Sequence, residues 1–135
     1  MRLVRSVLLL ALFATGCSGA DPFVGPATID GKWAESFSIA GNFLNMDLSS
    51  TGSTVSGTGN YCGEAGPCGL LAVAGTIEGI AVHLDLTFNE QVPRAGHSMI
   101  EHFDGQFSSA SLLEGTLATD TPGQVPGRTS YRRVM

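Results

Sequence analysis

Histidines and nearby acids are the side chains in this sequence best suited to binding a metal or transferring protons. His83 and Asp85 are two residues apart, and so are His102 and Asp104. In an extended strand each such pair points to one face, with its members about 7 Å apart. If the two segments pair, His83 and Asp85 could meet His102 or Asp104 across neighbouring strands. The favoured interpretation is a solvated polar face with cross-strand pairs and no metal or cofactor; a metal site is the alternative.

Two other acids fall among apolar residues. By alternation, Glu35 shares a strand face with Trp33, and Glu101 shares one with Phe103. A buried carboxylate must be paired, protonated or hydrated. One interpretation places the acids at a barrel mouth, turns them outward at a bulge, or pairs Glu35 with a terminal arginine. The other is a ligand cavity in which they orient a polar or cationic group. The residues predicted to line that cavity are Trp33, Glu35, Phe37, Met46, Phe88, Met99, Glu101 and Phe103.

No catalytic residue is expected. The sequence has no Gly-x-Ser-x-Gly motif and no glycine-rich segment ahead of a helix, which are the usual signs of a serine nucleophile or a phosphate site. The remaining enzymatic alternative is an isomerase or cyclase that uses Glu101 as its base. We therefore predict that the protein is not an enzyme.

The first residues predict export. Residues 1–16 have two arginines followed by a short apolar run, as in a secretory signal peptide. The segment Ala14-Thr15-Gly16-Cys17 resembles the lipobox of bacterial lipoproteins. The resemblance implies cleavage before Cys17, acylation of that cysteine and attachment to a cell-envelope membrane through residues 17–30 as a tether. It also implies, from Ser18, the outer membrane if the source is Gram-negative. Ordinary cleavage that releases a soluble protein is the alternative.

Cysteine number supports this interpretation. An exported chain with three cysteines has one left over, and a lipid on Cys17 would leave Cys62 and Cys68 as a pair. The five residues between them are turn-forming, and disulfides are usual outside the cytoplasm. We predict a disulfide between Cys62 and Cys68. A metal or redox pair is the alternative, but the spacing is not that of a zinc site.

Residues 31–135 are predicted to form one all-β domain. From Gly31 onward the chain alternates apolar and polar residues with a period of two, most clearly from Ile80 to Phe88. Turn-forming residues divide this region into eight strands with short connections, which indicates antiparallel neighbours. Glycines inside the strands permit the strong coiling that closure requires. The predicted fold is an eight-stranded antiparallel up-and-down barrel, with a β-sandwich as the alternative.

The two ends of this domain carry a family resemblance. Gly31-Lys32-Trp33 on the first strand resembles the Gly-x-Trp motif at the start of calycin barrels, the lipocalins and avidin-like proteins. In lipocalins a basic residue of the last strand packs across that tryptophan and closes the barrel. The resemblance implies this role for Arg132 and Arg133, and a guanidinium does stack well on an indole ring. It does not extend to the biotin contacts of avidins, so biotin binding is not expected.

Composition limits the partners. A net charge of −5 argues against nucleic acid, and 43% hydrophobic against 14% charged residues argues against disorder. We expect a lipid-anchored, non-enzymatic barrel of the cell envelope that binds a small apolar or amphipathic molecule. The alternative is a protein-interaction module or inhibitor that contacts an envelope partner through loops 62–68 and 89–97.

Overall fold

The computed structural model describes residues 28–36, 43–62, 68–89, 100–120 and 122–135. These ranges form eight β-strands and contain no membrane-crossing helix. The strands are Gly31–Glu35 (β1), Phe43–Thr51 (β2), Thr54–Cys62 (β3), Cys68–Glu78 (β4), Ala81–Phe88 (β5), Ile100–Ser109 (β6), Leu112–Thr119 (β7) and Gly127–Val134 (β8). The predicted signal peptide and most of the tether, at residues 1–27, lie outside the described residues.

The eight strands close into one up-and-down barrel. Each strand is antiparallel to the next, and β8 pairs with β1 from Lys32 opposite Val134 to Glu35 opposite Tyr131. Among these eight strands, closure leaves no edge free to pair with another chain. The barrel prediction is therefore confirmed, and the sandwich alternative is excluded.

Alternation along the strands builds the core. In β5, and in β2 as far as Leu48, every second side chain is buried, because successive side chains of a strand point to opposite faces. Buried apolar residues of the strands, together with Ile29 ahead of β1, form one cluster inside the barrel. They are Ile29, Trp33, Leu44, Met46, Leu48, Val55, Tyr61, Leu71, Val73, Val82, Leu84, Leu86, Phe88, Phe103, Phe107, Leu113 and Tyr131.

Inward-facing glycines let the strands approach closely. A Cβ added at Gly59 would meet the backbone carbonyl of Asn45, and one added at Gly75 would meet that of His83. Neither site has room for a larger residue, so these glycines permit the coiling that closes a small barrel. The register shift in β6 lies elsewhere, between Phe107 and Ser109.

The two ends of the barrel differ. One end, which we call the hairpin end, carries the two-residue turns at 52–53, 79–80 and 110–111. Gly52 and Gly79 have positive φ there, as tight hairpin turns require. The opposite loop end carries the connections 36–42, 63–67, 89–99 and 120–126. The predicted disulfide is confirmed at the loop end, where Cys62 ends β3 and Cys68 begins β4.

Candidate functional site

The hairpin end is closed by the segment that precedes β1. Ile29 and Trp33 are both fully buried, and the indole Nε1 of Trp33 donates a hydrogen bond to the Ile29 carbonyl at 2.9 Å. The next residue, Asp30, accepts hydrogen bonds from the backbone N–H of Ser50 at 2.6 Å and its hydroxyl at 2.8 Å. Hydrogen bonds from Thr28 and Ser50 hold the pKa of Asp30 below its usual value. Residues 28–30 are thus fixed against the barrel.

Arg133 completes this closure. Its guanidinium carbon lies 4.6 Å from the centroid of the Trp33 ring, and the group donates hydrogen bonds to the carbonyls of Thr28, Asp30 and Ala110. Arg132 is exposed on the outer face, because neighbouring residues of a strand point to opposite sides. Of the two arginines predicted to close the barrel, Arg133 alone is placed on the tryptophan.

The predicted cavity-lining residues do not converge on one pocket. Trp33, Met46, Phe88 and Phe103 are all buried, but Trp33 contacts the hairpin end while Phe88 is the last residue of β5 at the loop end. Phe37 and Met99 lie outside the described residues, as do positions 63–67 and 90–99 of the predicted loops. The set is therefore spread along the barrel axis.

Glu101 and Glu35 have different surroundings. Glu101 is fully buried at the second residue of β6, between Leu86 of β5 and Thr119 of β7. Glu35 is half-buried and accepts a hydrogen bond from the Thr129 hydroxyl at 3.4 Å. The contrast shows that a shared apolar face in the sequence does not fix how deeply a carboxylate is buried.

Tyr131 is a core residue that was not predicted from the sequence. It is fully buried, and its ring packs edge-on against Phe103 with the centroids 5.2 Å apart. The alternation of Thr129, Tyr131 and Arg133 along β8 was the sequence signal that could have placed Tyr131 on the inward face. It was weak because few apolar residues mark that strand.

The outer wall carries a row of alternating acidic and histidine side chains. Antiparallel pairing sets His83 of β5 opposite Asp104 of β6, and Asp85 opposite His102. His83 Nδ1 is 2.6 Å from Asp104 Oδ1, and His102 Nδ1 is 2.6 Å from Asp85 Oδ1. Asp85 Oδ1 is also 3.2 Å from His83 Nε2, and Asp120 Oδ1 is 2.9 Å from His102 Nε2. The predicted cross-strand meeting of these groups is thus present, with Asp120 as an addition.

The acidic side chains of this row favour the protonated form of the two histidines. The hydrogen bond to Asp104 raises the pKa of His83, and those to Asp85 and Asp120 raise the pKa of His102. The hydrogen bond to His102 in turn lowers the pKa of Asp85. All these groups are partly exposed, so solvent screens the attraction and the pairs contribute modestly to stability.

Two depressions lined by described residues open on the outside of the barrel wall. One, of about 640 Å³, lies over β6, β7 and β8 beside Gln106, Glu114 and Arg128. The other, of about 700 Å³, lies over β1 to β4 beside Asn60 and Leu70. Neither is the interior cavity that the sequence predicted.

No family model, curated protein or solved structure matches this chain. The class of protein is therefore defined by its own geometry: a small, disulfide-bonded, up-and-down β-barrel with a closed hairpin end and a loop end. The resemblances to calycins and to the lipobox of lipoproteins stay predictions, and the lipobox lies outside the described residues.

Proposed function

We propose that the protein is a lipid-anchored, non-enzymatic binding module of a cell envelope, which presents its loop end to a partner protein. The observation that carries this proposal is which end of the barrel adjoins the N-terminal segment. The chain enters β1 at the hairpin end, where Thr28 and Asp30 are bonded to Ser50. Only residues 18–27 separate that end from Cys17. With Cys17 acylated, the hairpin end is held near the membrane and the loop end faces away from it.

The reach of the tether supports this orientation. Ten fully extended residues span at most about 35 Å. The hairpin end therefore stays within a few nanometres of the bilayer, whatever conformation the tether takes. The three hairpin turns at this end are short, whereas the connections at the loop end are long enough to shape a recognition surface.

The packed interior favours recognition by the loops over recognition inside the barrel. Three aromatic pairs occupy successive levels of the interior. From the hairpin end to the loop end these pairs are Trp33–Phe107, Phe103–Tyr131 and Tyr61–Phe88, with ring centroids 6.0, 5.2 and 4.8 Å apart. An eight-stranded barrel has room either for such side chains or for one small ligand. The side chains make the barrel a rigid support for its loops.

Glu101 favours a second candidate, a small amphipathic or cationic ligand held at the mouth of the loop end. Its carboxyl group is fully buried one residue inside the start of β6. Burial of an acid in an apolar interior is costly and is common at binding sites. A ligand with an amine and an apolar body would suit this carboxyl group, because the buried Phe103 lies two residues further along the same inward face of β6.

The partner proposal predicts crosslinking from the loop end only. Arg94, in the 89–99 connection, is replaced by the photoreactive residue p-benzoylphenylalanine, and irradiation of intact host cells is expected to give one covalent protein adduct. The same substitution at Ser53, in an exposed turn of the hairpin end, is the matched control and is expected to give none. Adducts are detected by immunoblot and identified by mass spectrometry. Equal crosslinking from both positions, or none from Arg94, would contradict the proposal.

The second candidate predicts a copurifying small molecule. Native mass spectrometry of the protein purified from its host is expected to show an added non-covalent mass, which Glu101→Gln removes. The control is Glu114→Gln, because Glu114 is exposed on the outer wall and its replacement is expected to leave the bound mass unchanged. A spectrum with no added mass in the wild type would rule this candidate out.

A further inference from the structure

We propose that His83, Asp85 and His102 form a binding site for a divalent transition-metal ion of the zinc type, on the outer wall of β5 and β6. One potential ligand atom from each of the three side chains lies within 4.8 Å of the other two. Its three ligand residues lie within strands β5 and β6, outside the loop-end connections, and the site does not depend on the proposed function.

The strand register creates the site. Because β5 and β6 are antiparallel, the pair His83–Asp104 lies directly beside the pair Asp85–His102 on the outward face. The two imidazole rings are nearly parallel, with an interplanar angle of 15° and centroids 6.4 Å apart. Asp85 Oδ1 lies between them, 3.2 Å from His83 Nε2 and 2.6 Å from His102 Nδ1. Two nitrogens and one oxygen thus point at one region.

Small side-chain rotations suffice to bring these atoms to metal-binding distance. With bonds of about 2.1 Å, tetrahedral zinc holds its ligand atoms about 3.4 Å apart. The widest separation, at most 4.8 Å, must therefore shrink to about 3.4 Å, and the 2.6 Å between Asp85 Oδ1 and His102 Nδ1 must widen to about the same value. The three side chains are 34–44% exposed and can rotate without disturbing the barrel core.

The two remaining acids complete the arrangement. With His83 bound through Nε2, its Nδ1–H donates to Asp104, and with His102 bound through Nδ1, its Nε2–H donates to Asp120. Metal-binding histidines in proteins commonly donate their second ring N–H to a carboxylate, which orients the ring and strengthens the ligand. Asp104 and Asp120 are therefore positioning residues for this site.

The donor set selects the class of ion. Imidazole nitrogen suits zinc, copper and nickel, whereas calcium and magnesium prefer oxygen ligands alone. The three carboxylates give the site the negative charge that a divalent cation neutralises. Three protein ligands leave a coordination position for water on the exposed side.

The test is a titration with zinc chloride alone. The full-length protein, purified without a polyhistidine tag and stripped with EDTA, is titrated by isothermal calorimetry at mildly alkaline pH. We expect saturation at one zinc per chain and a rise in melting temperature with added zinc, because an ion that binds only the folded state stabilises it. His102→Gln is expected to weaken binding by more than about tenfold, and Asp104→Asn by about 10- to 100-fold.

His97→Gln is the matched control, since His97 is the only other histidine and lies outside the described residues. It is expected to bind zinc as the wild type does. Circular dichroism in EDTA keeps the comparison valid: the His102 and Asp104 variants are expected to melt close to the wild-type temperature without metal, because ion pairs of partly exposed side chains contribute little to stability. Failure to saturate at one zinc per chain, or wild-type affinity in His102→Gln, would overturn the proposal.

Discussion

Replacing Trp33 with alanine is expected to lower the free energy of unfolding by roughly 3–5 kcal/mol. The indole is fully buried, packs against Phe107, and donates a hydrogen bond to the Ile29 carbonyl. Its removal leaves a cavity at the hairpin end and takes away the surface on which the Arg133 guanidinium lies. The free energy of unfolding of a small domain is only about 5–15 kcal/mol, so the variant would lose much of its stability.

The measurement is urea unfolding followed by circular dichroism, because Trp33 is the only tryptophan and its fluorescence disappears with the substitution. Leu70→Ala is the matched control: this large apolar side chain is 66% exposed, and its loss is expected to cost less than about 1 kcal/mol. A loss below about 1 kcal/mol in Trp33→Ala would show that the tryptophan does not hold the hairpin end closed.

Replacing Cys17 with alanine is expected to abolish fatty-acid attachment and with it the stable anchor. Each buried methylene of an acyl chain contributes about 0.8 kcal/mol, so two or three chains bind a membrane far more tightly than any contact of an acidic protein with lipid head groups. The direct measurement is incorporation of a clickable fatty acid into the protein in host cells. Labelling is preferred to membrane association as the readout, because an uncleaved leader would itself hold the variant at the membrane.

Ser18→Ala provides the matched control for this experiment, since it changes the neighbouring residue and leaves the acceptor thiol in place. It is expected to be labelled as strongly as the wild type. Equal labelling of Cys17→Ala and the wild type, or no labelling of either, would show that the lipobox resemblance is misleading. If neither protein is labelled, no lipid anchors the chain, and the proposal that the loop end faces away from the membrane loses its support.

The strands of this barrel were predictable because alternation is a local property. The pattern from Ile80 to Phe88 gives the inward face of β5 without knowledge of any other strand. The structure buries Val82, Leu84, Leu86 and Phe88, whereas Ile80 lies in the preceding turn and is half-buried. Glycines at positions such as Gly59 and Gly75 indicated coiling, and in the structure they allow close approach of neighbouring backbones. The pairing of Cys62 with Cys68 also followed from nearby residues.

Other features depended on contacts between distant parts of the chain. Alternation along β8 was too weak to choose between Arg132 and Arg133, because few apolar residues mark that strand. The register of β8 against β1, which sets Arg133 opposite Trp33, decides it. It placed Glu35 and Glu101 on apolar faces alike, although one is half-buried and the other fully buried. Their burial depends on their position along the barrel axis and on the strands beside them.

The sequence by itself determined the eight strands, the inward face of most of them and the disulfide, because backbone geometry alone makes side chains alternate and turn residues are local. Only the tertiary structure decided that His83, Asp85 and His102 adjoin on one wall, and that Asp120 joins them from the end of β7. The same holds for the closure of the hairpin end by Arg133. Such contacts depend on strand register and barrel closure, in which residues far apart in sequence are brought together by the packing of the whole core.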